Sequence, residues 1–110
     1  MSTEKELEQH KEILQEHIKL KEMVEKLEKN REFKHIIMNL FCEKECARYA
    51  QISGDINLPV EARDASIHAA QAAGHLKRFL AITKQNGAIA ERDLQTIEEQ
   101  IELARQENLG

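Results

Sequence analysis

Apolar residues recur at spacings of three and four at both ends of the chain. His10, Ile13, His17, Leu20, Val24 and Leu27 carry one stripe, and Ala90, Leu94, Ile97, Ile101 and Ala104 carry the other. Side chains spaced in this way stay on one narrow side of an α-helix, the seam by which helices pair. The first helix is expected to start at Ser2 or Thr3, either hydroxyl accepting from first-turn amides, with Glu4, Glu6 and Glu8 near its positive end. It should run to about Glu28. Leu7, Leu14 and Ile18 lie beside the stripe and widen it, so this arm has apolar surface for more than one neighbour. Lys29-Asn30-Arg31 interrupts the pattern, and both a break and a continuous helix fit it.

A second helix is expected from about Glu32 to Ser53. Its segment from Ile36 to Cys42 is apolar on nearly all sides, the mark of a central helix. Gly54 offers a left-handed end, Asp55 and Asn57 favour a turn, and Pro59 suits a first helical position with Asn57 or Leu58 as cap. A third helix follows from about Pro59 to Gln85. Ala62, Ala65, Ala69, Ala72, Leu76 and Phe79 keep the 3,4 spacing, with Ala70, Ala73 and Gly74 beside them. Small residues let backbones approach, while Leu76, Phe79, Leu80 and Ile82 fill the far end, giving a wedge-shaped packing surface. Asn86-Gly87 is read as its end, and a fourth helix runs from about Ala88 to Gln106.

Composition agrees with an all-α chain. Its 110 residues include one Pro and four Gly and no Trp, so loop punctuation and stacking platforms are both scarce. The architecture expected is a small antiparallel helical bundle with a long N-terminal coiled-coil-like helix, divided into an N-terminal amphipathic arm (1–30) and a helical core domain (31–110). The net charge of −4 is concentrated at the C-terminal end, where residues 88–110 hold six acids against two bases. Such a balance argues against counterion-driven binding to a nucleic-acid backbone and favours a protein partner with a basic surface. No apolar run approaches the length of a membrane span, and no signal-peptide pattern opens the chain. Cys42 and Cys46 read as reduced thiols of a cytosolic protein.

Candidate chemistry is thin. Cys42 and Cys46 share a helical face, His35 lies one heptad before Cys42, and His68 and His75 are a heptad apart, so a tetrahedral zinc site is conceivable. The spacing is not that of a zinc finger, and two small buried apolar thiols is the simpler account. His10 and His17 occupy equivalent seam positions, where polar groups set register and partner number; stacked across a homodimer they could instead bind metal or, on charging near pH 6, loosen the pair. Glu91, Asp93, Glu98, Glu99 and Glu102 form an acidic face without the Glu-x-x-His motif of a di-iron bundle. His75, Lys77, Arg78 and Lys84 make a basic patch close to background for a helix. Ser2, Ser53 and Ser66 have no activating context, and phosphate loops and nucleophile elbows are missing, so no enzyme activity and no cofactor are expected.

From Glu32 to Arg105 the chain resembles a family of small helical proteins encoded among the virion-structure genes of tailed bacteriophages. The resemblance rests on Glu32-Phe33-Lys34, Ile36-Ile37, Phe41, Glu45, Cys46 and Arg48, then Leu58, Arg63, Gly74-His75-Leu76, Phe79-Leu80, Gly87, Ala90-Glu91 and the Glu-rich stretch to Arg105. It implies a role in head or tail assembly or as a minor virion component, with no catalytic residue to carry over. The functional expectation is therefore a non-enzymatic assembly or adaptor protein, homo-oligomeric and most simply dimeric. It would act through the seam of His10, Ile13, His17, Leu20, Val24 and Leu27, in the cytoplasm of the host cell or in the virion. Two alternatives stand beside it: an acidic inhibitor of a host nucleic-acid-processing protein acting by charge mimicry, and a metal- or redox-responsive sensor built on Cys42 and Cys46.

Overall fold

The computed structural model describes residues 3–109, and all of their regular structure is helical. Helix α1 spans Glu4–Lys29. Thr3 starts it: its Oγ1 accepts from the Glu6 N–H at 3.1 Å, and the Glu6 carboxylate accepts from the Thr3 N–H at 3.3 Å, a reciprocal cap. The alternative cap, Ser2, lies outside the described residues. At the other end Asn30 leaves the helical conformation (φ −69°, ψ 128°), and its side chain accepts from the Phe33 N–H at 2.8 Å. The polar interruption is thus a break, with Asn30 capping the helical segment that begins at Arg31.

That segment departs from the single α-helix expected over Glu32 to Ser53. It comprises a short α2 (Arg31–Phe33), a π-helical stretch (Lys34–Glu45) and α3 (Cys46–Ser53). Bonding from i to i+5 puts more residues in each turn, so faces read on a 3.6-residue wheel do not apply there. Nor is the stretch covered all round: Cys42 is its one buried residue, and Ile36 is 52% exposed.

Gly54 also differs from expectation. It keeps right-handed angles (φ −93°, ψ −3°), and the chain turns through bonds from the Gly54 N–H to the Gln51 carbonyl and from the Asp55 N–H to the Ile52 carbonyl. Asp55 is a turn former, its side chain accepting from the Asn57 N–H at 3.0 Å. The Pro59 carbonyl then accepts from the Arg63 N–H, opening α4 at Val60.

Helix α4 runs without interruption over Val60–Leu109, 50 residues. Asn86-Gly87 therefore ends nothing, and the expected third and fourth helices are one. The reason lies in a heptad pattern that passes through Gly87. Ser66, Ala73, Leu80, Gly87, Leu94 and Ile101 recur every seven residues, interleaved with Ala69, Leu76, Thr83, Ala90, Ile97 and Ala104, and all are buried or half-buried. Packing along that seam outweighs the cost of about 1 kcal/mol for a glycine inside a helix.

The chain forms two compact units. One comprises the chain up to Glu25 and from Ile82 onward. In it α1 and the C-terminal part of α4 run antiparallel around Leu7, Leu14, Ala90, Ile97 and Ile101, with Ile18, Leu94 and Ala104 against them. The terminal stripe from Ala90 to Ala104 is thus part of the fold. Its partner in that unit is α1. The other unit, Lys26–Ala81, sets α3 and the π-helical stretch antiparallel to the start of α4. Cys42, Ser66, Ala73 and Leu80 are buried in it, the Cys46 thiol donates to the Ala70 carbonyl at 3.4 Å, and the Arg63 guanidinium donates to the Ser53 carbonyl at 3.1 Å.

Candidate functional site

The pairing of α1 with α4 has two unlike sides. Along the first, Lys11 meets Glu98 at 3.7 Å, Lys21 meets Glu91 at 2.8 Å, and Arg105 meets Glu4 and Glu8 at 3.0 Å each. These groups flank the buried seam on its polar edge. The helices approach closely at Gly87: a Cβ there would overlap the Lys21 Cβ and stand 2.9 Å from the His17 carbonyl oxygen. The Lys21 stem lies across that gap while its ammonium reaches Glu91, and also Glu25 at 3.1 Å. The hydrogen bond to Glu91, followed by that to Glu25, raises the Lys21 pKa above its ordinary 10.5.

The second side carries two columns of exposed apolar side chains. Ile13 is 58% exposed and Leu20 39% on α1, while Ile82, Ile89 and Leu103 are 40%, 39% and 59% exposed on α4. Their positions follow from the heptad. With Leu7, Leu14 and Lys21 in the buried seam, Ile13 and Leu20 fall about 120° around the helix, with His10 and His17 between them and the seam. On α4 the column Ile82, Ile89, Thr96, Leu103 stands in the same relation to its own seam. Because the helices are antiparallel, both columns emerge on one side. A shallow groove of about 240 Å³ on that side is lined by Leu14, His17, Asn86, Ile89 and Ala90.

The residues singled out from sequence are distributed unevenly. Of the N-terminal seam, Ile13, Leu20 and Leu27 are exposed, as is His10; His17 is half-buried and Val24 is buried. Met23, 61% exposed, extends the uncovered stripe. The five acids, Glu91, Asp93, Glu98, Glu99 and Glu102, are all exposed but do not share one face, and Glu91 and Glu98 are engaged by Lys21 and Lys11. Of the α4 column, the sequence pattern singles out Ile82 alone, and as a packing residue, whereas it is 40% exposed; Ile89 and Leu103 are not singled out. The column's signal was the seven-residue spacing, hidden by the assumption of a helix end at Gly87.

Other candidate chemistry is not assembled. Among the described residues no three His, Cys, Asp or Glu side chains gather closely enough to hold a metal ion. Cys42 and Cys46 are free thiols, the first buried. The Ser53 and Ser66 hydroxyls donate to the Ala50 and Ala62 carbonyls of their own helices. Beside the Asn30 break, a concavity of about 790 Å³ is bordered by Lys29, Arg31, Lys34 and His35, with the Glu32 carboxylate among them. All five are exposed, so it contains no desolvated anion seat. Among the described residues no helix is long and apolar enough to cross a membrane. No family model, curated protein or solved structure matches the chain.

Proposed function

We propose that this chain is a non-enzymatic assembly or adaptor protein that works by helix–helix association. One observation carries the reading: α1 packs on α4 by Leu7, Leu14 and Ile18, yet leaves Ile13, Leu20, Met23 and Leu27 in water. A row of exposed apolar side chains along one helix is a feature of interaction sites, and an amphipathic stripe at 3,4 spacing is the form in which helices recognise one another. The protein is homo-oligomeric, most simply a dimer, and the antiparallel bundle suggested by the sequence is completed on association. Its setting, on the resemblance of residues 32–105 to phage structural-gene products, is virion morphogenesis, in the host cytoplasm or as a minor virion component.

Sedimentation equilibrium of the purified chain tests the reading. A concentration-dependent oligomer is expected, reduced to monomer by Ile13→Asp or Leu20→Asp with the helical circular dichroism retained. A strict monomer, or an oligomer indifferent to both substitutions, overturns it.

A further inference from the structure

We infer that the occupant of the uncovered side is a second copy of this chain, seated so that α1 of each copy lies over α4 of the other. The inference rests on the association reading above and adds the partner, the second half of the face and its orientation.

Size is the first consideration. The α4 column from Ile82 to Leu103 extends about 30 Å at 1.5 Å per residue, and two helices side by side are about 20 Å wide, so the face offers roughly 600 Å² per copy. Two such faces bury about 1,200 Å² in all, the lower end of the range for specific dimers. The α4 half is needed to reach that figure, because the α1 stripe alone covers about half the width.

Charge then selects the orientation. The ion pairs Lys11–Glu98 and Arg105–Glu4 fix which residues lie level across the hairpin. By that correspondence Glu16 on the outer edge of α1 is level with Arg92 on the outer edge of α4, and both are exposed. The stripes centre on the same level, since the midpoint of Ile13 and Leu20 is beside Glu16 and that of Ile82 and Leu103 is beside Arg92. Two identical faces can meet about a two-fold axis lying in their plane, either along the helices or across them. An axis across the helices sets α1 against α1, bringing Glu16 to Glu16 and Arg92 to Arg92, both repulsive. An axis along the helices sets α1 against α4 at preserved level, so Glu16 of each copy meets Arg92 of the other. Inside the face the same choice places His17 opposite Asp93, where the crossed choice would oppose two Asp93 carboxylates. Like charges in apposition count against the wrong arrangement more than opposite charges reward the right one.

The dissociation constant of the wild-type chain and of Glu16→Arg, Arg92→Glu and the double variant decides the matter. Each single reversal is expected to weaken dimerisation about tenfold, since two symmetry-related contacts change, and the double variant should return to near the wild-type value. Leu103→Asp, on α4 and mostly exposed, should weaken it at least as much. A dimer whose affinity ignores both reversals, or whose double variant is weaker than either single one, overturns the proposed arrangement while leaving association intact. A dimer unaffected by Leu103→Asp likewise removes α4 from the interface. A wild-type monomer overturns the arrangement and the association reading together.

Discussion

Replacing each of two glycines of α4 by alanine should move stability in opposite directions. Gly74 and Gly87 are both interior to the helix, where alanine is favoured over glycine by about 1 kcal/mol. At Gly74 a Cβ would have no neighbour within 4 Å, so Gly74→Ala should realise that gain. At Gly87 the new methyl would overlap the Lys21 Cβ and come 2.8 Å from its Cδ and 2.9 Å from the His17 carbonyl oxygen. A Cβ and a backbone oxygen are fixed to α1 itself, and no change of Lys21 rotamer removes either. Relief requires α1 to move away, loosening the packing of Leu14 on Ala90 and Ile97. Overpacking of this kind costs about 1–3 kcal/mol, against which the propensity gain leaves a net loss of up to about 2 kcal/mol. Urea unfolding followed by far-ultraviolet circular dichroism, at one fixed protein concentration, reads both variants. Gly87→Ala stabilising the chain as much as Gly74→Ala would show that the helices do not approach closely there, and the assignment of α1 to the C-terminal part of α4 would fall with it.

Three further outcomes rest on the same packing. Leu14→Ala should destabilise by about 2–4 kcal/mol because Leu14 is buried in the shared core, whereas Ile13→Ala next to it should stay within about 0.5 kcal/mol in dilute, dissociated protein; chemical denaturation compares them. Thr3→Ala and Asn30→Ala each remove a side chain that accepts from a helix-start amide and should cost about 1 kcal/mol, with faster amide exchange confined to the first turn after the altered residue. The raised Lys21 pKa gives a definite sign: its stabilising contribution is complete below 10.5 and is lost as pH climbs through the higher folded value. Denaturation midpoints from about pH 9 to about pH 12 should therefore fall more steeply for the wild type than for Lys21→Met, and parallel curves would remove Lys21 from the account.

Helical content, a hydroxyl cap at Ser2 or Thr3, the turn at Asp55 and the helical seam of Ala90–Ala104 are all legible in the sequence, because each depends on local chemistry or a single period. The continuity of α4 is not legible from the same clues. Asn86-Gly87 has the composition of a helix end, and only the heptad extending from Ser66 to Ala104 shows that neighbouring packing overrides it. The stretch from Lys34 to Glu45 misleads in another way, since its π-helical bonding voids the wheel on which an all-round apolar face was read. For the candidate face, half was visible as the stripe through Ile13 and Leu20. Of the other half, Ile82 reads from sequence as core filling, and its column with Ile89 and Leu103 comes into view only once α4 is one helix that can be followed past Gly87.

The way α1 is used bears on function more than any one residue does. Of the seam positions Glu4, Leu7, Lys11, Leu14, Ile18 and Lys21 that face α4, three are apolar, while the stripe left in water carries Ile13, Leu20, Met23 and Leu27. Fully burying one such side chain is worth about 1.5–3 kcal/mol, so the stripe left in water holds apolar surface that the fold itself does not use. The inward face is matched to what α4 offers. Gly87 and Ala90 admit the Lys21 stem at close range, and Glu91 and Glu98 receive the two lysine ammonium groups that the seam brings with it. A charged, small-residue seam specifies the antiparallel pairing within the chain and leaves the apolar stripe of α1 uncovered. In the symmetric dimer proposed above, that stripe would be covered by the same face of another copy, with Ile13 and Leu20 against the column of Ile82, Ile89 and Leu103.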